Sequence, residues 1–174
     1  MKRSLAASIL CAVLLTVAAT PAPAAAYLVK PDGSGDYATI QDAIDAASHG
    51  DSILLDTGTF TGTGNKNLDT GGKAIVVTSV SGAASTFIDC ETDGRAFYVH
   101  SAEDHGTVIS GLTVVNGDAS TLDGYGGAIY CSDASPSILD CTFRSCYADS
   151  GAALYLNQSN ARIARNRFVD NNCF

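Results

Sequence analysis

Ionic side chains gather near the end of the chain. Asp140 lies twenty-five positions before Arg165, and Arg162 and Arg167 flank that arginine. If the chain repeats with this period, Arg165 stands one repeat above Asp140 and the two form an ion pair. Arg162, Arg165 and Arg167 also offer guanidinium forks to an anionic ligand. The plainer reading places them on solvated strand positions that balance Asp140, Asp149 and Asp170. Asp140, Arg162, Arg165 and Arg167 are the candidate ligand-binding residues. His49, His100 and His105 have no ligand or nucleophile pattern beside them and read as ordinary loop residues.

Cysteine chemistry is the other possibility. Cys90, Cys131, Cys141, Cys146 and Cys173 lie beyond the first twenty-six residues, and Cys11 within them. An odd set leaves at least one thiol free or paired with another chain. No Cys-x-x-Cys pair and no neighbouring histidine support zinc. Aligning repeats gives a column Cys90, Leu112, Cys141, Asn166, in which Leu112 argues for an inward position. Cys90 and Cys141 then act as small apolar residues. Their two-repeat separation exceeds disulfide reach, about 7 Å between Cα atoms. Cys146 and Cys173 can pair across neighbouring repeats, and the sequence leaves this open.

The element that must position these residues is the repeat. Gly126, Ala128, Tyr130, Ile138 and Phe143 recur as Gly151, Ala153, Tyr155, Ile163 and Phe168. A fixed period of this size means stacked supersecondary units. Each unit holds two short runs rich in β-branched and aromatic residues, bounded by Ser, Asp, Asn and Gly, which is strand chemistry. The unit is too short for a strand–helix–strand crossover, so it reads as one coil of a parallel β-helix. Gly94–Tyr98 and Ile109–Val114 match the two runs further back. Phe87–Cys90 resembles Ile138–Cys141, and Lys73–Val77 resembles a first run. These give five coils between Asp51 and Phe174, each about 4.8 Å high. Asp118–Tyr125 is an insertion, of the kind that projects from one side and often forms a binding face. Ile138, Phe143, Ile163 and Phe168 are the expected core.

Before the repeats, Lys2 and Arg3 lead an apolar run from Leu5 to Ala19, followed by small residues through Ala26. This reads as a secretory signal, residues 1–26. Residues 27–174 then form one domain of 148 residues. Losing Lys2 and Arg3 takes the formal charge from −8 to −10. Such a surface disfavours nucleic acid and anionic membranes, and no later segment is apolar enough to span a bilayer. Thr39 begins a capping box with Asp42, and Ile40, Ala43, Ile44 and Ala47 form one apolar face. The helix Thr39–His49 is expected to cap the first coil. After the last repeat nothing comparable caps the stack, so the domain reads as incomplete at its C-terminus or as self-associating through that open coil.

Asp32-Gly33-Ser34-Gly35-Asp36-Tyr37-Ala38-Thr39-Ile40-Gln41-Asp42-Ala43-Ile44, with Asp51–Leu55 and Gly58–Phe60, resembles the opening of right-handed β-helix proteins of the pectin-lyase-like superfamily. It is most similar to pectin methylesterases. The Gly-Ala-Ile-Tyr and Asp-Cys-Thr-Phe units resemble repeats of bacterial secreted and polymorphic outer-membrane β-helix proteins. The resemblance implies an all-β, single-stranded right-handed parallel β-helix with an N-terminal capping helix. An esterase site would need paired Asp, Gln and Arg, but the chain has only Gln41 and Gln158. A hydrolase would need convergent aspartates, and Asp104-His105-Gly106 lacks that family's partner motifs. A lyase would hold Ca²⁺ on carboxylates of successive coils. Asp89 and Asp140 align, yet two coil spacings, about 9–10 Å, are too far to share an ion.

No catalytic residue is assigned, and no cofactor, with Ca²⁺ implied only by the lyase alternative. The reading is a secreted or cell-surface β-helix module, non-catalytic, structural or contacting a polysaccharide or cell-surface glycan. The alternatives are a polysaccharide-active enzyme and the N-terminal part of a larger adhesin or autotransporter-like protein.

Overall fold

A computed structural model describes residues 23–174; most of the expected leader lies outside them. The described chain is an all-β parallel solenoid of six turns. Sheet A stacks β1 (Ala26–Val29), β2 (Ser52–Leu55), β5 (Val76–Ser79), β8 (Val108–Ser110), β11 (Ser137–Leu139) and β15 (Arg162–Ala164). Sheet B stacks β3 (Gly58–Phe60), β6 (Thr86–Asp89), β9 (Thr113–Val115), β12 (Thr142–Arg144) and β16 (Arg167–Val169). Sheet C stacks β4 (Leu68–Asp69), β7 (Phe97–Val99), β10 (Ile129–Ser132) and β14 (Leu154–Asn157). A short pair, β13 (Tyr147–Ala148) with β17 (Asn172–Cys173), completes the walls.

Alternation drives the burial. Each strand sends every second side chain inward, and equal positions of successive turns stack in columns. Ile53, Val77, Ile109 and Ile138 form one buried column in sheet A. Phe60, Ile88, Val114 and Phe143 form another in sheet B, and Leu68, Phe97 and Ile129 a third in sheet C. The five turns expected after Asp51 are present, and β1 adds a sixth. The expected core is half correct. Ile138 and Phe143 are fully buried, but Ile163 is 37% and Phe168 51% exposed. Their strands β15 and β16 lie at sheet edges, so each side chain is covered from one side only.

Two registers differ from the sequence reading. The run Val108–Val114 is two strands in two sheets, broken by Gly111. Its counterparts break at Asp140 and Arg165, all three with φ between 53° and 63°. One left-handed residue turns the chain between sheets, so hydrophobic continuity concealed a corner. In the earlier turns the repeat slips by one strand. Asp89 pairs with Val115 and stands in the column of Arg144, not of Asp140. Cys90 therefore leaves the Leu112–Cys141–Asn166 column. Lys73–Val77 leads into sheet A rather than sheet C.

The helix α1 (Ile40–Ala46) is shorter than expected. Thr39 is its N-cap, accepting from the Asp42 amide and donating to the Asp42 carboxylate. Ala47 is already extended, and Lys73 Nζ takes the last carbonyls, of Ile44 and Asp45, at 2.8 Å each. Ile40, Ala43, Ile44 and Ala47 are buried. Gln41 closes the edge of β4: its Oε1 accepts from Asp69 N at 2.9 Å, and its Nε2 donates to Asp69 O at 3.1 Å. The helix thus satisfies an open strand edge as well as covering apolar surface. At the domain's other expected boundary, β1 begins at Ala26, and the Ala25 N–H donates to Asp51.

Candidate functional site

The structure separates the four candidate residues. Asp140 and Arg165 stack at the corner between sheets A and B. Arg165 Nε and Nη2 donate to the two Asp140 oxygens at 2.6 Å each. These bonds hold the Asp140 carboxyl below its ordinary range and raise Arg165. Both side chains are about half exposed, so the pair adds little to stability. Arg162 lies on the outer face of sheet A, opposite Ser137. Arg167 lies on the outer face of sheet B, opposite Thr142. The three arginines share a turn but not a face.

Cys90 and Cys141 are buried as expected; Cys131 and Cys146 are buried too, and among the five free thiols of the described residues Cys173 alone is exposed. Cys173 stands opposite Ala148, and Cys146 opposite Asn171. The register therefore separates Cys146 from Cys173, the pairing that the sequence left open. Burial pushes the Cys131 thiol up to about 12, and those of Cys141 and Cys146 up to about 11. A thiol held protonated is a poor nucleophile and metal ligand. Among the described residues no three His, Cys, Asp or Glu side chains converge to hold a metal.

The site that sequence reasoning passed over is the outer face of sheet C. There Tyr98, Tyr130 and Tyr155 are register partners on β7, β10 and β14. Phe97, Val99, Ile129 and Cys131 point inward and are buried, so alternation sends the tyrosines outward. Ring centroids lie 5.1 Å apart between Tyr98 and Tyr130, and 5.3 Å between Tyr130 and Tyr155. His100 stacks on Tyr98 at 4.1 Å and hydrogen-bonds Asp69. Tyr125 stacks on Tyr155 at 4.5 Å. Tyr98 and Tyr130 are tilted by 30°, and Tyr130 meets Tyr155 edge to face at 75°. Among the described residues none of these four tyrosine hydroxyls has a protein hydrogen-bond partner.

Local chemistry explains the arrangement. Gly126 and Gly151 sit just before the strands with φ of 62° and 63°, where a Cβ would collide with the Ile129 and Leu154 carbonyls. Only glycine makes this entry turn, which is why it repeats. The insertion 118–125 folds beside the tyrosines. Asp118 exchanges backbone hydrogen bonds with Gly94, and Ala119 N donates to Tyr147 O. Arg95, 3% exposed, lies 5.4 Å and 5.2 Å from the Tyr98 and Tyr130 ring centres and forms a two-point ion pair with Asp123. Partial burial pushes the Asp123 carboxyl upward, but Arg95 and the Tyr125 N–H outweigh it, and it titrates below its ordinary range. Burial, then Tyr130 and Asp123, hold the Tyr98 phenol above its ordinary value. It stays a donor at neutral pH.

The repeat had already aligned these three tyrosines and singled out the insertion. Combining that alignment with in–out alternation was the signal that could have found the face. Comparison with family models, with curated proteins and with solved structures gives no match.

Proposed function

We propose that this protein is an exported, non-catalytic β-solenoid module that binds a neutral, hydroxyl-rich glycan along the Tyr98–Tyr130–Tyr155 face. The observation that carries this reading is the row of unpartnered phenol hydroxyls repeating at the coil spacing. An extended polymer laid along the axis meets the same contact at each turn. Ring faces not covered by a neighbouring ring take apolar sugar faces, while phenols exchange hydrogen bonds with sugar hydroxyls. The charge argues for a neutral glycan: Arg95 is matched by Asp123, Asp69 stands at one end, and the whole chain is acidic. Export rests on the leader-like residues 1–26, and membership of the pectin-lyase-like superfamily on the stretch Asp32–Ile44.

The test is titration calorimetry with soluble gluco-, xylo- and manno-oligosaccharides. At least one series should bind, with affinity rising with chain length until the three coils are spanned. Tyr130→Phe should weaken binding about fivefold, one neutral hydrogen bond, and Tyr130→Ala further. Absence of binding across the panel, or a Tyr130→Ala variant that binds like the parent, would overturn the proposal.

A further inference from the structure

A second site lies on the outer face of sheet B, independent of the tyrosine face. Arg144 on β12 and Arg167 on β16 occupy adjacent strands two positions out of register. Both are exposed and line one groove of about 280 Å³ with Phe87, Thr113, Thr142 and the wall formed by Ala83 and Ala84. Among the described residues neither guanidinium makes an ion pair or a hydrogen bond. Asp140, at the adjoining corner, is held at two points by Arg165, and Asp170, exposed at the corner after β16, forms no ion pair with either arginine. Asp89, on the same face, accepts from Glu91 N and Asn116 Nδ2 through one oxygen and makes no ion pair with either arginine. Thr113 donates to Ala83 O, whereas the Thr142 hydroxyl has no protein partner among the described residues. On an acidic chain this groove carries two guanidinium groups with no ion-pair partner among the described residues, together with the Thr142 hydroxyl and the Phe87 ring.

We propose that this groove binds a tetrahedral oxyanion ester, a sulfate or phosphate monoester carried on a ring-shaped body. Two guanidinium groups and one hydroxyl line the same groove, and a tetrahedral ester presents three terminal oxygens where a carboxylate presents two. Phe87 takes the ring that bears the ester. Arg162, on another sheet, and Arg165, held by Asp140, take no part.

The experiment titrates the full chain with 4-nitrophenyl phosphate, 4-nitrophenyl sulfate and 4-nitrobenzoate at low ionic strength, followed by calorimetry. One or both esters should bind, more tightly than the benzoate, and raising salt from about 0.05 to 0.5 M should weaken them. Tighter binding of either ester supports the proposal and names the anion. Arg144→Ala and Arg167→Ala should each lose about tenfold in affinity, as removal of one charged hydrogen-bond donor does. The double variant should lose binding, while its thermal midpoint stays near the parent because both side chains are exposed. Tyr130→Ala should bind the esters unchanged, which separates this site from the glycan face. No ester binding at about 10 mM, benzoate binding as tight as both esters, or undiminished binding by the folded double variant would overturn it.

Discussion

Phe143 and Phe168 are the same residue in the same repeat position, 5.4 Å apart ring to ring, yet they differ in what covers them. Phe143 is fully buried between turns, and Phe168 keeps half its surface in water. Phe143→Ala should therefore cost about 3–5 kcal/mol, the range for truncating a buried aromatic ring. Phe168→Ala should cost less than about 2 kcal/mol, since less apolar area leaves contact. Urea melts of the two variants measure the difference, and equal losses would mean that repeat position, not coverage, sets the energy. The identities that revealed the period were legible because inward columns demand similar side chains. How much each copy is covered was not, because a column carries no record of what lies above or below it. Asp140 and Arg165 were legible as a pair for the complementary reason: their spacing equals the period, and stacking alone brings them together.

At the scale of elements, strand runs and the capping helix were readable from alternation and from the Thr39–Asp42 box. Corners were not. Gly111, Asp140 and Arg165 make the same left-handed turn with unrelated side chains, so backbone geometry repeats where chemistry does not. The tyrosine face was half legible: its members were aligned, but its side depended on which neighbours are inside. The insertion 118–125 is the element whose behaviour follows most directly from charge. Asp123 titrates below its ordinary value because Arg95 and the Tyr125 N–H stabilise its charged form. A depressed folded pKa gives stability that is present above the unfolded value, about 3.9, and is lost as pH falls through the folded one. Amide protection factors in residues 118–125, taken relative to intrinsic exchange at each pH, should thus fall below about pH 4 while the Phe97 and Ile129 amides stay protected. Asp123→Asn should show the lowered protection already at pH 7. An insertion equally protected at pH 7 and pH 3 would mean that its backbone bonds to Gly94 and Tyr147 hold it without the ion pair.

For the whole molecule, stability is a sum of turns and the interfaces between them, and the buried thiols thread that sum. Cys90 precedes the sheet C strand of one turn, Cys131 lies in the next, and Cys141 and Cys146 in the one after. Burial raises all four, Cys131 to about 12 and Cys141 and Cys146 to about 11. An unfolded thiol ionises near pH 8.5. Between these values the native chain keeps protons that the unfolded chain releases. A raised folded pKa gives stability that is complete below the unfolded value and is lost as pH rises toward the folded one. Each such thiol removes up to about 1.4 kcal/mol per pH unit in that window. The urea midpoint should hold steady from about pH 6 to 8 and then fall steeply between about pH 9 and 10.5. Cys131→Ala lowers the starting stability by opening a small cavity, yet it should make the alkaline decline shallower, since one of the four linked protons is gone. The slope separates titration from packing: a variant that is merely less well packed shifts the whole curve and leaves its steepness unchanged. An unchanged slope in Cys131→Ala, or a parent midpoint flat to pH 10.5, would show that the thiols ionise without opening the stack.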